Sequence, residues 1–97
     1  MDLNEALSLI KAGLKEEVVE SKHFIDQCID RKINVHEVKK VISNHEMVGI
    51  LKHEVDLYKI WFLYKQHKDL NIIVKIMSDK RLRLVTIFPC YSERRKR

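Results

Sequence analysis

The segment DLYKIWFLYKQHKDLNIIVKIMSDKRLRLVTIFP, residues 56–89, carries the clearest structural pattern in this chain of 97 residues. Apolar side chains alternate with polar or charged ones in parts of each apolar stretch, a period of two that is typical of β-strands. Two short polar stretches, 67–69 and 78–80, interrupt the alternation and predict tight turns. The pattern therefore predicts three strands, at residues 56–66, 70–77 and 81–88. Strands joined by such short connections cannot run parallel, so an antiparallel sheet is expected.

The alternation also assigns side chains to the two faces of the sheet. On the first strand, one face carries Tyr58, Ile60, Phe62 and Tyr64, and the other carries Lys59, Trp61 and Lys65. On the last strand, one face carries Leu82, Leu84, Thr86 and Phe88, and the other carries Arg81, Arg83, Val85 and Ile87. Pro89, which has no N–H group, is expected to end this strand.

The first half of the chain has a helical period instead. A first helix is expected from Asp2, which has capping-box spacing to Glu5, to Gly13. A second helix begins at Ser21 and runs to about Arg31, and a third begins at Asn34 and ends near residue 44. The residues predicted to be buried are Phe24, Ile25, Cys28 and Ile29 on the second helix and Val38, Val41 and Ile42 on the third.

These patterns predict an α+β fold in which N-terminal helices pack on a C-terminal antiparallel four-stranded sheet, since one face of such a sheet must be covered. Residues 46–51 are the predicted first strand. Residues 14–20 are compatible with a loop or with a short extended piece. The length allows one hydrophobic core, so a single domain at 1–92 is expected, followed by a basic tail at 93–97.

The composition argues against several classes of protein. Apolar runs such as Ile72–Val74 are far too short to cross a bilayer, so no membrane association is expected. The N-terminus shows no basic stretch ahead of an apolar one, which favours a cytoplasmic location. In that compartment Cys28 and Cys90 are expected to be reduced and buried rather than bridged.

No motif indicates a cofactor or a metal. The two glycines stand alone, which argues against a glycine-rich phosphate-binding loop. The spacing of His36, His45 and His53 does not match that of a zinc site.

Charge divides the chain unevenly. Residues 1–56 carry 8 Lys/Arg against 11 Asp/Glu, whereas residues 57–92 carry 7 against 2, and the net charge of the whole chain is +5. A basic sheet half is a plausible surface for a polyanion such as RNA. The alternative is that these cations only solvate exposed strand faces.

Metal-free RNA cleavage is the one chemistry that the residue inventory supports. It needs an acid or base, for which His23 is the candidate, and a cation for the developing charge, for which Arg31 is the candidate. Thr86 and Tyr91 are candidates to donate to or orient the phosphate. The candidate RNA-binding residues are Arg81, Arg83, Lys59, Trp61 and Lys65, with Trp61 as the stacking ring among cations. For His23 and the two strand arginines, simple solvent exposure is the competing interpretation.

Residues 23–34, HFIDQCIDRKIN, resemble the motif H-A-x-x-R-x-x-x-R-G-I-[ST] of a microbial family called domain of unknown function 4258. VHEVKKVISNHE (35–46) resembles the next helix of that family and its exit, and LVTIFP (84–89) resembles its last strand. The family is similar to the superfamily of small nuclease folds that includes the RelE and ParE toxins and the motility quorum-sensing regulator toxin. In the motility quorum-sensing regulator toxin, the end of the opening helix is similar to residues 9–13 of this chain.

The resemblance implies a RelE-like fold with metal-free ribonuclease chemistry, or a descendant that has lost it. His23, Arg31 and Thr86 stand where the family keeps polar residues. Two positions depart from the motif: Gln27 replaces its first arginine, which removes a phosphate ligand, and Lys32 replaces its glycine.

The leading prediction is therefore an RNA-directed, toxin-like domain that acts as a metal-independent endoribonuclease without a cofactor. The alternative is a non-catalytic module of the same fold that binds RNA, the ribosome or a protein such as an antitoxin. A third hypothesis is a domain whose sheet face forms a homodimer.

Overall fold

The computed structural model describes residues 2–16, 18–45, 47–65 and 68–91, without the side chains of Lys65, Cys90 and Tyr91. The basic tail and the predicted boundary at residue 92 lie outside this part of the chain. The elements in chain order are α1 (Leu3–Leu14), β1 (Val19–Glu20), α2 (Lys22–Asp30), α3 (Val35–Asn44), β2 (Met47–Glu54), β3 (Leu57–Lys65), β4 (Lys68–Ile76) and β5 (Leu82–Tyr91). Across these residues no helix is long and apolar enough to cross a membrane.

The sheet has five strands in the order β1-β5-β4-β3-β2, one more than the sequence predicted. Strands β2 to β5 form the predicted antiparallel meander. The added strand is β1, from the segment that the pattern left open, and it pairs parallel with β5 through Val19–Arg83 and Glu20–Leu84. Two residues are too few to show a hydrophobic period, so only the tertiary structure reveals this strand.

The predicted helix starts are confirmed by their caps. The side chain of Asp2 accepts from the N–H of Glu5 at 2.8 Å, and that of Ser21 accepts from Phe24 at 3.0 Å. Asn34 accepts from the N–H of residue 36 at 2.8 Å. Each cap satisfies an N–H group that has no partner within its own helix.

Gly13 does not end α1, contrary to the prediction. The helix continues to Leu14, and neither glycine has a positive φ angle. Instead, a Cβ atom at Gly13 would lie 2.6 Å from Cγ of Leu82. Gly13 is therefore needed for the close approach of α1 to β5.

The helices cover one face of the sheet and form the core with it. Its buried members are Ala6, Ile10, Phe24, Cys28, Val38, Val41 and Ile42 from the helices and Tyr58, Ile60, Phe62, Leu70, Ile72, Val74, Ile76, Leu82, Leu84 and Ile87 from the sheet. The prediction for α2 was wrong at Ile25 and Ile29, which are 37% and 69% exposed. Ile25 is turned about 100° from Phe24 around the helix, so it leaves the narrow stripe that faces the sheet.

A β-bulge in β5 changes the predicted faces of that strand. Thr86 pairs with Ile73 and Leu84 pairs with Val74, so Val85 is an extra residue without a partner in β4. The bulge shifts the alternation by one position. Ile87 consequently joins the core, and Phe88 lies on the opposite face with Thr86 and Arg83.

Pro89 does not end β5 as predicted, because the strand continues to Tyr91. Pro89 pairs with Leu70. The N–H of Ile87, two residues earlier, points away from β4 toward α2. The nitrogen of Pro89 therefore falls on the same outer side, where the ladder loses no hydrogen bond.

Candidate nucleic-acid interface

The sheet face opposite the helices, called the open face here, collects most of the predicted RNA-binding residues. The register of β3, β4 and β5 arranges its side chains in rows across the strands. These rows are Leu57–Lys75–Arg83, Lys59–Ile73–Thr86, Trp61–Asn71–Phe88 and Leu63–Asp69. Three cations, two aromatic rings and the candidate Thr86 therefore share one surface.

Two of these cations stand directly opposite each other. Lys75 of β4 pairs with Arg83 of β5, and both side chains are exposed. Neither forms an ion pair with any carboxylate in the described part of the chain. Like charges at directly opposed positions destabilise an antiparallel pair. An anion bound between them would remove that repulsion.

The same end of the sheet contains a shallow depression near the β4–β5 turn. Lys75, Lys80 and Arg83 contribute to its lining. Asp56 is the one carboxylate among its described lining residues. Positive charge is therefore concentrated at this end of the sheet, where the depression also reaches Leu9 of α1.

Trp61 is 6% exposed and packs against Gly49 of the neighbouring strand β2. The Nζ atom of Lys59 lies 5.3 Å from the centroid of its ring, within cation–π distance. Its Nε1–H group is buried without a hydrogen-bond partner in the described structure. The predicted stacking ring is thus covered, and Trp61 positions the ammonium group of Lys59 instead.

Arg81 lies in the turn before β5 and already has a partner. Its backbone N–H and its guanidinium donate to the carboxylate of Asp79 at 3.0 and 2.7 Å. These hydrogen bonds, the backbone one first, hold the pKa of Asp79 below its usual value. The charge of Arg81 is therefore partly satisfied within the turn, unlike that of Arg83.

Helix α2 lies along the outer edge of β5 and is fixed there by two side chains. Ser21 Oγ donates to the carbonyl of Val85 at 3.2 Å, and Gln27 Oε1 accepts from the N–H of Ile87 at 3.1 Å. These bonds satisfy backbone groups of β5 beyond the end of β1, where no other strand of the described residues pairs with it on this side. Gln27, where the chain differs from the motif that it resembles, thus has a structural partner here.

His23 on α2 and Arg31, the C-cap residue that follows α2, lie four residues from Gln27 on either side. Each is turned about 40° from Gln27 around the helix, and about 12 Å of helix axis separates the two. Both side chains are exposed, and neither makes a hydrogen bond to the described residues. The structure therefore ties Gln27 to the edge of β5, whereas no described interaction joins His23 and Arg31 to each other or to Thr86.

The remaining predicted side chains, those of Tyr91 and Lys65, lie outside the described residues. The sequence interpretation missed Lys75, Asn71 and Phe88 as members of the same surface. Lys75 becomes notable only through its register with Arg83, and Phe88 only through the bulge at Val85. No sequence period identifies either.

The sequence analysis predicted no metal site at His36, His45 and His53. All three side chains are exposed. Nδ1 of His45 lies 2.6 Å from the carbonyl oxygen of Leu63, so this nitrogen carries the proton and donates. Within the described ranges, no three His, Cys, Asp or Glu residues are grouped so as to hold a metal ion.

Comparisons of the chain with models of known protein families, with curated proteins and with solved structures find no match.

Proposed function

We propose that this domain is RNA-directed and binds single-stranded RNA on its open face. The observation that supports the proposal most is the opposed cation pair of Lys75 and Arg83, which no carboxylate of the described residues neutralises. The repulsion within this pair opposes folding, whereas a bound phosphate group would be held by both cations. Arg83 presents a planar fork of donors that matches phosphate oxygens, and Lys75 adds a point charge.

The surroundings of this pair favour RNA over a small anion. The open face also carries the ammonium group of Lys59 and the half-buried ring of Phe88. Sheet faces that combine cations with aromatic rings hold single-stranded nucleic acid through phosphate contacts and base stacking. The chain as a whole has a net charge of +5, which attracts a polyanion from a distance.

A second candidate function is metal-free RNA cleavage, as in the toxin-like proteins that the sequence resembles. The observation that favours it is the hydrogen bond of Gln27 to the β5 edge, with the exposed His23 and Arg31 about one helical turn away on either side. In this role His23 acts as general acid or base and Arg31 stabilises the charge on the phosphate. Thr86 and Tyr91 are the candidates to donate to the phosphate from β5.

Fluorescence anisotropy with a labelled single-stranded RNA tests the binding function. The parent protein should bind at low salt, and the double variant Lys75→Gln, Arg83→Gln should bind at least about tenfold more weakly, because each phosphate contact is a major part of such affinity. Lys22→Gln, which removes an exposed cation on α2, is the matched control and should bind like the parent. Equal affinity of the double variant and the parent would place the RNA elsewhere on the protein.

Cleavage is tested separately, by incubating the purified protein with total cellular RNA with and without EDTA. Degradation that persists in EDTA supports metal-free ribonuclease activity. Intact RNA in both samples, together with measurable binding, supports the non-catalytic RNA-binding module.

A further inference from the structure

Asn71 is an unusual residue for its position in the sheet. It lies in the interior of β4, has its side chain on the open face, and is only 6% exposed. Its carboxamide has no hydrogen-bond partner among the described residues. A largely buried carboxamide loses most of its hydration without gaining a partner, and asparagine is also poorly suited to a strand interior. Neither the core nor the sheet ladder explains this residue.

The carboxamide is nevertheless still reachable from solvent. Among the described residues, the one side-chain polar atom that is sealed from solvent without a partner is Nε1 of Trp61. The oxygen and nitrogen of Asn71 therefore keep some accessible surface. A ligand on the open face would have access to one donor group and one acceptor side by side.

The neighbours of Asn71 define what this ligand would meet. Trp61 pairs with Asn71 on one side and Phe88 pairs with it on the other. Directly opposed residues in adjacent strands lie about 4.5–5.5 Å apart, so the carboxamide lies between the two rings. Trp61 is covered, whereas Phe88, on the same face, is only half-buried.

We infer that Asn71 recognises the edge of a nucleobase, adenine before the other bases, while the ring of Phe88 stacks on that base. The inference rests on the proposed RNA-binding function and identifies the part of the surface that distinguishes sequences. A carboxamide that donates and accepts together complements N7 and the N6 amino group of adenine. A phenyl ring provides a stacking partner with little dependence on the base.

The cations take a different part in this arrangement. Lys75 lies four residues beyond Asn71 on β4, about 13 Å away along the strand. It therefore contacts the phosphate of a neighbouring nucleotide and not the recognised base. Phosphate contacts fix the position of the strand, whereas the contacts of Asn71 depend on the base.

Anisotropy titrations with short homopolymers of A, U and C, all of one length, test the inference. The parent should prefer the A polymer, and Asn71→Leu, of similar volume, should lower that affinity about tenfold and bring it level with the others, since a good bidentate base contact provides about that discrimination. Phe88→Leu should weaken all three polymers together. Asn44→Leu, the same substitution at an exposed position on α3, should change nothing. The salt dependence of binding should be the same for Asn71→Leu and the parent.

A stability measurement distinguishes recognition from a structural role. Since Asn71 loses no hydrogen bond on substitution, Asn71→Leu should unfold at the same urea concentration as the parent or at a higher one. Earlier unfolding of this variant would show that the carboxamide supports the fold, and would overturn the inference.

The remaining outcomes separate this inference from the proposed function. RNA binding without a base preference, or with a preference that Asn71→Leu retains, overturns the role of Asn71 and leaves the proposed function in place. A preference for another base that disappears in Asn71→Leu supports Asn71 as the recognising residue and overturns the choice of adenine. A parent that binds none of the polymers at low salt overturns both proposals.

Discussion

The indole ring of Trp61 occupies the space that a side chain at Gly49 would need. A Cβ atom built on Gly49 would lie 2.7 Å from Nε1 of Trp61 and closer still to the adjacent ring carbons. The two residues are cross-strand partners in β2 and β3. A large ring packed over a glycine in the next strand compensates for the missing side chain and covers the backbone there.

Gly49→Ala should therefore displace the ring of Trp61 and lower the free energy of unfolding by about 1–3 kcal/mol, the usual range for overpacking. Trp61 is the sole tryptophan, so its fluorescence reports this site alone. The emission of the variant should shift to longer wavelength as the ring becomes hydrated. Gly13→Ala crowds Leu82 instead and should leave the emission unchanged. Parent-like emission and stability in Gly49→Ala would contradict the packing of Trp61 over this glycine.

Gln27→Ala should destabilise the protein by about 1–2 kcal/mol, because the N–H of Ile87 then loses its partner at a part-buried position. Hydrogen exchange of the Ile87 amide should accelerate in the same variant. Gln27→Glu keeps an acceptor and should retain most of the protection. Gln27→Arg restores the arginine of the resembled motif but offers only donors, so it should behave like Gln27→Ala. Unchanged exchange in Gln27→Ala would mean that another group satisfies this amide.

Lys75→Gln should affect binding and stability in opposite directions. Removing one of two opposed cations should leave the free protein as stable as the parent, or more stable by about 0.2–1 kcal/mol. The log–log dependence of RNA affinity on salt should become shallower by about 0.7 for each single-strand phosphate that the protein no longer contacts. Arg83→Gln should do likewise, and Arg81→Gln should change the slope less because Asp79 already pairs with Arg81. Reduced stability together with an unchanged slope would assign Lys75 to the fold.

If the domain cleaves RNA without a metal, His23→Ala should reduce the rate about a hundredfold or more, the usual scale for a general acid or base. Arg31→Ala should have a similar effect by removing charge stabilisation. Both side chains are exposed, so the melting temperatures should remain those of the parent. His36→Ala, at an exposed position on α3, is the control. A parent-like rate in His23→Ala would exclude this residue from the chemistry.

Ionisation of the Cys28 thiol should make the protein less stable at alkaline pH. Burial, with a smaller contribution from the carboxylate of Glu20, raises the pKa of its thiol above the ordinary value. The folded state therefore holds this proton more tightly than the unfolded chain does. Its contribution to stability is complete below the unfolded pKa of about 8.5 and is lost as the pH rises through the folded pKa. Urea unfolding between about pH 7.5 and 10 should show a steeper decrease in stability in the parent than in Cys28→Ala, and equal decreases would contradict the shift.

The disulfide prediction is tested by the same thiol chemistry. Cys28 is a free cysteine in the structure. The thiol titration of the unfolded, unreduced protein should count both cysteines, and the folded protein should react slowly at Cys28 because its side chain is buried. A count of zero would mean that the two cysteines are bridged.

The sequence by itself determined the class of the fold, the helix starts and the antiparallel meander. These are local properties. Asp2, Ser21 and Asn34 cap the helices that follow them, and the short polar turns require adjacent strands to run antiparallel. Each of these conclusions needs only a few residues in succession, or a period repeated along one element.

Only the tertiary structure decided the fifth strand, the side-chain faces of β5 and the membership of the open face. The sequence around Val85 does not predict the bulge, because an extra residue is defined only relative to the partner strand. The opposition of Lys75 and Arg83 and the position of Asn71 between two rings depend likewise on register between strands. Register is set by packing across the whole sheet, and a single strand pattern carries no information about which residues of its neighbours lie opposite.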